Sequence, residues 1–130
     1  MNQTALREAV AAALGDIPEV VAGDWTVLAV PVDALEPPAF MLRWGPDPWR
    51  EPQAFCTDLA RLEVICVADR LTPEANYPIL EQMTDAAHVA LSAVQLRPNR
   101  LAPPGPFEIA QVTYLAARWQ IVRPIDTGAQ

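Results

Sequence analysis

LEVICVADRL (residues 62–71), TPEANYPILEQMTDAAHVALSAV (residues 72–94) and, after a proline-rich gap, VTYLAARWQIVRPI (residues 112–125) form the stretch that decides the fold. In the first segment Leu62, Val64, Cys66 and Ala68 share one face by the two-residue period of a strand. Ile65 and Val67 occupy the other face, between Glu63 and Asp69. Both faces are partly apolar, which is the pattern of a central strand covered on both sides. In the second segment Thr72-Pro73-Glu74 offers an N-cap, a proline at the first helical position and an acid in the first turn. Pro78, one turn further in, makes the start irregular. Ile79, Leu80, Met83, Ala86, Ala87, Ala90, Leu91 and Val94 then trace a continuous helical stripe opposite Glu81, Gln82, Asp85, His88 and Ser92. This pattern predicts one long helix covering one sheet face, with Leu62, Val64, Leu80, Met83, Leu91, Trp119 and Ile121 buried between them.

Downstream, RPNRLAPPGP (residues 97–106) reads as an extended connection able to hold neither helix nor ladder, because its prolines remove donors. Residues 107–123 alternate like a strand. Unbroken, they would span about 55 Å at about 3.3 Å per residue, longer than a domain of this size is wide. Either the first part leaves the globule or a bulge interrupts it. Pro124 closes the strand, and residues 126–130 read as a loose tail after a single domain of residues 1–125.

Upstream, Leu6, Val10, Ala13, Leu14 and Ile17 recur at helical spacing. Asn2 or Thr4 is available as N-cap and Gly15 as the stop, which predicts a helix over residues 4–14. WTVLAV (residues 25–30) and AFMLRW (residues 39–44) read as two strands of one sheet, separated by Pro31 and Pro37-Pro38. From Gly45 to Leu59, Pro46, Pro48 and Pro52 predict a long loop. Its aromatics Trp49 and Phe55 must pack on something, either the parent domain or a neighbouring subunit. The expected fold class is therefore α+β, a single mixed or antiparallel sheet of about four strands with an N-terminal helix and one long helix packed on it.

Composition bounds the function. The 130 residues are 52% hydrophobic, enough for one core without disulfides or a structural metal. The formal net charge of −7 argues against a duplex-binding surface, which needs clustered cations to displace counterions from phosphates. Residues 1–60 carry nine acids against Arg7, Arg43 and Arg50, a net of −6. Residues 61–130 carry seven acids against six arginines, a net of −1. No lysine occurs. An Ala-, Arg- and Pro-rich chain without lysine is what a GC-rich genome yields. It also makes every cation a planar guanidinium suited to pairing with carboxylates between subunits. The N-terminal segment has no secretory-signal pattern, and no apolar run approaches the length needed to span a bilayer. Cys56 and Cys66, without a CxxC pair or a histidine cluster, read as free thiols of a cytosolic product.

Candidate chemistry is thin. His88 stands at helical spacing from Glu81, Asp85 and Ser92, a pattern that an exposed polar helix face produces by chance. Asp85 and His88 alone cannot hold a metal. GxGxxG, GxxxxGK[ST] and GxSxG are absent from the sequence. The expectation is no catalytic residue, no cofactor and no metal. The candidate interface residues are Trp44, Asp47, Trp49, Arg50 and Phe55 in and beside the first proline-rich connection, and Arg97 and Arg100 in the second.

In order and pattern the chain resembles the small tail terminator (tail completion) proteins of long-tailed bacteriophages. The shared order is an N-terminal helix, paired strands, a long loop, a strand of the LEVICV kind, an acidic turn and a helix of the YPILEQMTDAAHVAL kind. A proline-rich connection and a final strand like VTYLAARWQIVRPI complete it. The resemblance implies a homo-oligomer, a hexameric ring, in the neck of the virion, assembled in the host cytoplasm. Such a ring caps the tail tube protein, stops tube elongation and offers a joining surface to the head connector or stopper protein. DNA passes through its lumen without specific binding, and no membrane is involved. A head-closure (stopper) or adaptor protein of the connector is the alternative, ahead of a small enzyme or ligand-binding domain.

Overall fold

A computed structural model describes residues 1–54, 56–70 and 73–126. The chain runs α1 (Gln3–Gly15), α2 (Pro18–Val21), β1 (Thr26–Leu28), β2 (Ala39–Trp44), β3 (Arg50–Ala54), β4 (Thr57–Arg70), α3 (Pro73–Ala93), β5 (Arg100–Ile109) and β6 (Val112–Asp126). The strands form one six-stranded sheet in the order β1-β2-β4-β6-β5, with β3 also pairing β4. β1 and β2 are parallel and every other pairing is antiparallel, so the sheet is mixed. The α+β class with two helices on one sheet stands as expected, while the expected count of about four strands is corrected to six.

β4 is the central strand that its two-faced apolar pattern requires. One edge pairs with β2 over Leu62 to Val67 and with β3 over Thr57 to Ala60, and the other edge pairs with β6 along nearly its whole length. Leu62, Val64, Cys66 and Ala68 face the helices, in one cluster with Phe40, Leu42, Leu115, Ala117 and Ile121. Leu80, Met83, Ala87 and Leu91 of α3 close that cluster over β4 and β6. α1 packs beside α3 and over β1 and β2, burying Leu6, Val10, Ala13 and Leu14, and its N-cap is Asn2, whose Oδ1 accepts from the Ala5 amide at 2.8 Å. Of the expected core residues only Trp119 differs. It is half-buried, and its indole donates to the Thr84 carbonyl of α3 at 3.0 Å. Val94, placed on the apolar stripe by spacing, is 49% exposed because α3 ends one residue earlier. The Thr72 cap lies outside the described residues.

The opposite sheet face carries a second, smaller cluster of Met41, Ile65, Val67, Ile109, Tyr114 and Ala116. Val32 and Leu35, from the crossover between the parallel strands β1 and β2, pack against it. This crossover takes the place of a covering helix, and it covers only part of the face.

Four expectations fail for identifiable reasons. The segment 45–59 is not one long loop, since β3 pairs β4 from Arg50 opposite Ala60 to Ala54 opposite Thr57. Pro52 sits in that edge strand beside a register shift. The segment 97–106 does hold a ladder. β5 pairs only β6, so a proline nitrogen on its free edge costs no bond, and the register shift between Ala102 and Gly105 absorbs Pro103 and Pro104. The alternation over residues 107–123 is broken not by a bulge but by a two-residue hairpin turn. Ile109 faces Val112, and Ala110 and Gln111 both adopt positive φ, 49° and 70°. Asp126, expected as the first residue of a loose tail, belongs to β6; its amide donates to the Met1 carbonyl at 2.9 Å, and its carboxylate takes the N-terminal ammonium at 2.6 Å, while the rest of that segment lies outside the described residues.

Two measurements test this account. Leu91 is fully buried, so Leu91→Ala should cost about 2–5 kcal/mol in urea denaturation. A near-zero loss would move that helix face to the surface. Replacing Ala110-Gln111 by Asn-Gly, which accept positive φ, should raise stability by about 1 kcal/mol, and an unchanged midpoint would show that the turn carries no such cost.

Candidate functional site

The strand period and the register together place charge on the sheet face away from the helices. Arg43 of β2 lies opposite Glu63 of β4, Glu63 opposite Gln120 of β6, and Gln120 opposite Arg100 of β5, forming one row across four strands. Glu63 is the buried centre of that row, its side chain only 7% exposed. Its Oε1 accepts from Arg43 Nε at 3.1 Å and Nη2 at 2.8 Å, and its Oε2 lies 3.8 Å from Arg118 Nη1. The Arg43 guanidinium also lies 5.4 Å from the centre of the Phe107 ring, within cation–π range. Two guanidiniums, 36% and 44% exposed, thus flank a carboxyl group that lies largely out of water.

The expected interface residues separate into two groups. Trp44 and Trp49 are brought together, ring centres 5.1 Å apart and both half-buried, so Trp49 packs on its own domain. Arg50 donates to Asp58 and to Gln3, tying β3 to β4 and to α1. Asp47 is exposed in the intervening turn, and Phe55 lies outside the described residues. Arg97 and Arg100 are both exposed at the start of β5. They neighbour Arg123, whose Nη2 donates to the Arg97 carbonyl at 2.6 Å. Sequence reasoning missed Arg43, Glu63 and Arg118, because only the register brings them together.

The helical layer has the opposite character. From Glu8 to Leu42 and from Leu71 to Leu96 the chain has no arginine or lysine, and eight of the nine arginines stand in strands or in the connection before β5. Asp16, Glu81 and Asp85 are exposed on the helical side. Between the C-terminal end of α1 and the last turns of α3 lies an open apolar groove of about 470 Å³, walled by Ala13, Ile17, Ala86, Val89 and Ala90, with Asp16 and Asp85 at its rim. The helical segments, with the turns that follow α1 and α2, thus carry seven acids against Arg7 alone, while the strands and their connections carry eight arginines against nine acids, so a strongly acidic helical layer lies on a sheet whose charges nearly balance.

His88 is not the exposed side chain that spacing suggested. It is half-buried, and its ring lies against Trp119 with centres 5.3 Å apart and planes tilted by 42°, so it belongs to the packing between α3 and β6. Cys66 is fully buried, and burial pushes its thiol far above the ordinary range, making it an apolar filler of the core and an unreactive one. Among the described residues no group of three or more His, Cys, Asp or Glu side chains could hold a metal ion, and no helix is long and apolar enough to cross a membrane.

Comparison with models of known families and with curated proteins found no match for this chain.

The Glu63 centre can be weighed by substitution. Glu63→Ala leaves Arg43 without its carboxylate partner and should cost about 1–3 kcal/mol in chemical denaturation, below a fully buried pair because water reaches the arginine. Arg118→Ala, removing the longer and more exposed contact, should cost less than about 1 kcal/mol. Equal losses would mean that the two arginines share the carboxylate evenly.

Proposed function

We propose that this chain is a structural subunit of a bacteriophage neck, a tail terminator that caps the tail tube as a homo-oligomeric ring and offers the head connector its joining surface. The observation that carries the reading is the unequal charge of the two layers, acidic helices over a sheet in which eight arginines nearly balance nine acids. Two unlike patches on one subunit suit head-to-tail contacts, which close into a ring when the rotation between neighbours allows. The order of an N-terminal helix, paired strands, a long central strand, one long helix and a returning strand supports the same reading, with β3 and β5 standing where the resemblance has a long loop and a proline-rich connection. The net charge of −7 lets DNA slide through a lumen without being held. In this role the ring acts by shape, covering the growing end of the tube.

Deleting the gene from the phage tests it. The expected lysate contains tubes polymerised past their normal length, or tails unable to join filled heads, in negative-stain micrographs. Normal-length tails beside heads that have lost DNA would assign the chain to head closure. Normal tails joined to intact heads would exclude a neck role altogether.

A further inference from the structure

We propose that the apolar groove between α1 and α3 receives the Leu101 edge of a second copy of this chain, a contact that rests on the ring reading and names the two surfaces that meet. The groove needs a cover. Val89 and Val94, which line it, are 69% and 49% exposed, and exposed apolar side chains grouped around a concavity mark an interaction surface. Its rim fixes the chemistry of that cover. Asp16 and Asp85 stand at the edge of an otherwise apolar wall, so the occupant is an apolar side chain flanked by cations.

The chain carries such a surface at the start of β5. Leu101, cross-strand partner of Trp119, is 41% exposed; Arg97 precedes it by four residues, and Arg100 stands beside it on the other face of the same edge strand. Neither arginine has an acidic partner among the described residues, so both guanidiniums are available to a carboxylate. The edge is also barred from the other route to association. β5 pairs only β6, but Pro103, Pro104 and Pro106 have no amide hydrogen to donate, so its free edge is a poor template for an added strand. Contact through side chains is what remains. The groove belongs to the helical layer and Leu101 to the far sheet edge, so one copy can give its edge to a neighbour while its own groove accepts another's. That is a heterologous contact, which repeats from subunit to subunit.

The test uses the full chain in sedimentation velocity over a concentration series, with three variants: Asp16→Arg/Asp85→Arg, Arg97→Glu/Arg100→Glu, and Leu101→Asp. All the substituted side chains are exposed, so circular dichroism and thermal melting should match the wild type. The wild type should associate, more weakly as salt rises, and each variant should lose at least about tenfold in association. Mixing the two charge-reversed double variants should restore association beyond the dimer, because each variant's edge is complementary to the other's groove and the two can alternate from subunit to subunit. Variants that associate like the wild type would overturn the groove contact while leaving the ring reading intact, since the subunits would then meet elsewhere. A wild type that stays monomeric, or a mixture that stays monomeric, also overturns it. If Asp16→Arg/Asp85→Arg instead abolishes binding to purified tail tube protein while the chain alone remains monomeric, the occupant is the tube and the proposal fails. The gene deletion judges the ring reading separately.

Discussion

The antiparallel pairing of β4 with β6 is the constraint on which the rest of the structure depends. It runs from Thr57 opposite Asp126 to Arg70 opposite Tyr114, with one register shift between Val67 and Asp69. Because side chains alternate along a strand, the register decides the composition of both faces. As it stands, Leu62, Val64 and Cys66 join Ala117 and Ile121 under the helices, while Glu63 and Ile65 share the other face with Arg118 and Gln120. A slip of β4 by one residue would turn Glu63 under α3 and expose Val64, exchanging an ion-paired carboxylate for an unpaired one in an apolar layer. The same pairing positions the N-terminus, since Asp126 at the end of β6 holds Met1 by both backbone and ammonium contacts just before α1 begins.

From that register follows the division of charge. The crossover of residues 29–38 covers only part of the sheet face away from the helices, leaving the row of Arg43, Glu63, Gln120 and Arg100 at its open end. Arg43 and Arg118 there remain 36% and 44% exposed beside a carboxylate that is 7% exposed, a position suited to long, amphipathic side chains. On the helical side α3 carries Glu74, Glu81 and Asp85 with no arginine or lysine. An acidic layer on a nearly balanced one gives the subunit two unlike surfaces, and meeting head to tail avoids apposing the two acidic layers.

How much of this was legible in the sequence depends on how local the signal is. α1, α3 and the central strand were readable because their periods of 3.6 and 2 appear within a dozen residues, and Leu6, Val10, Leu62, Val64, Met83 and Leu91 fell where the periods put them. β3 and β5 were hidden by their prolines, because a proline excludes a strand only when its nitrogen faces a partner, and whether an edge is free is a property of the finished sheet. The β5–β6 turn was hidden because Ala110 and Gln111 take positive φ without the glycine or asparagine that normally announces it. The Glu63 centre was hidden for the most non-local reason. Arg43, Glu63 and Arg118 lie on three strands, and nothing short of the register predicts that they meet. Trp49 was recognised as an aromatic in need of a partner, while the partner itself, Trp44, came from the neighbouring strand.

The edges of the sheet constrain any assembly the chain can enter. β1 is three residues long, β3 contains Pro52, and β5 contains three prolines, so each outer strand is short or lacks donors. Such edges resist pairing with another chain, which protects a six-stranded sheet against open-ended growth. Association must then proceed through side chains, and in this chain every cationic side chain is an arginine. A guanidinium is more weakly hydrated than an ammonium and keeps its charge when partly buried, so it can close over a carboxylate at the rim of an apolar contact with a smaller desolvation cost than lysine. The absence of lysine, the proline-marked edges and the acid-rimmed groove therefore favour one solution, a contact held at its centre by apolar burial and oriented at its margin by arginine–carboxylate pairs.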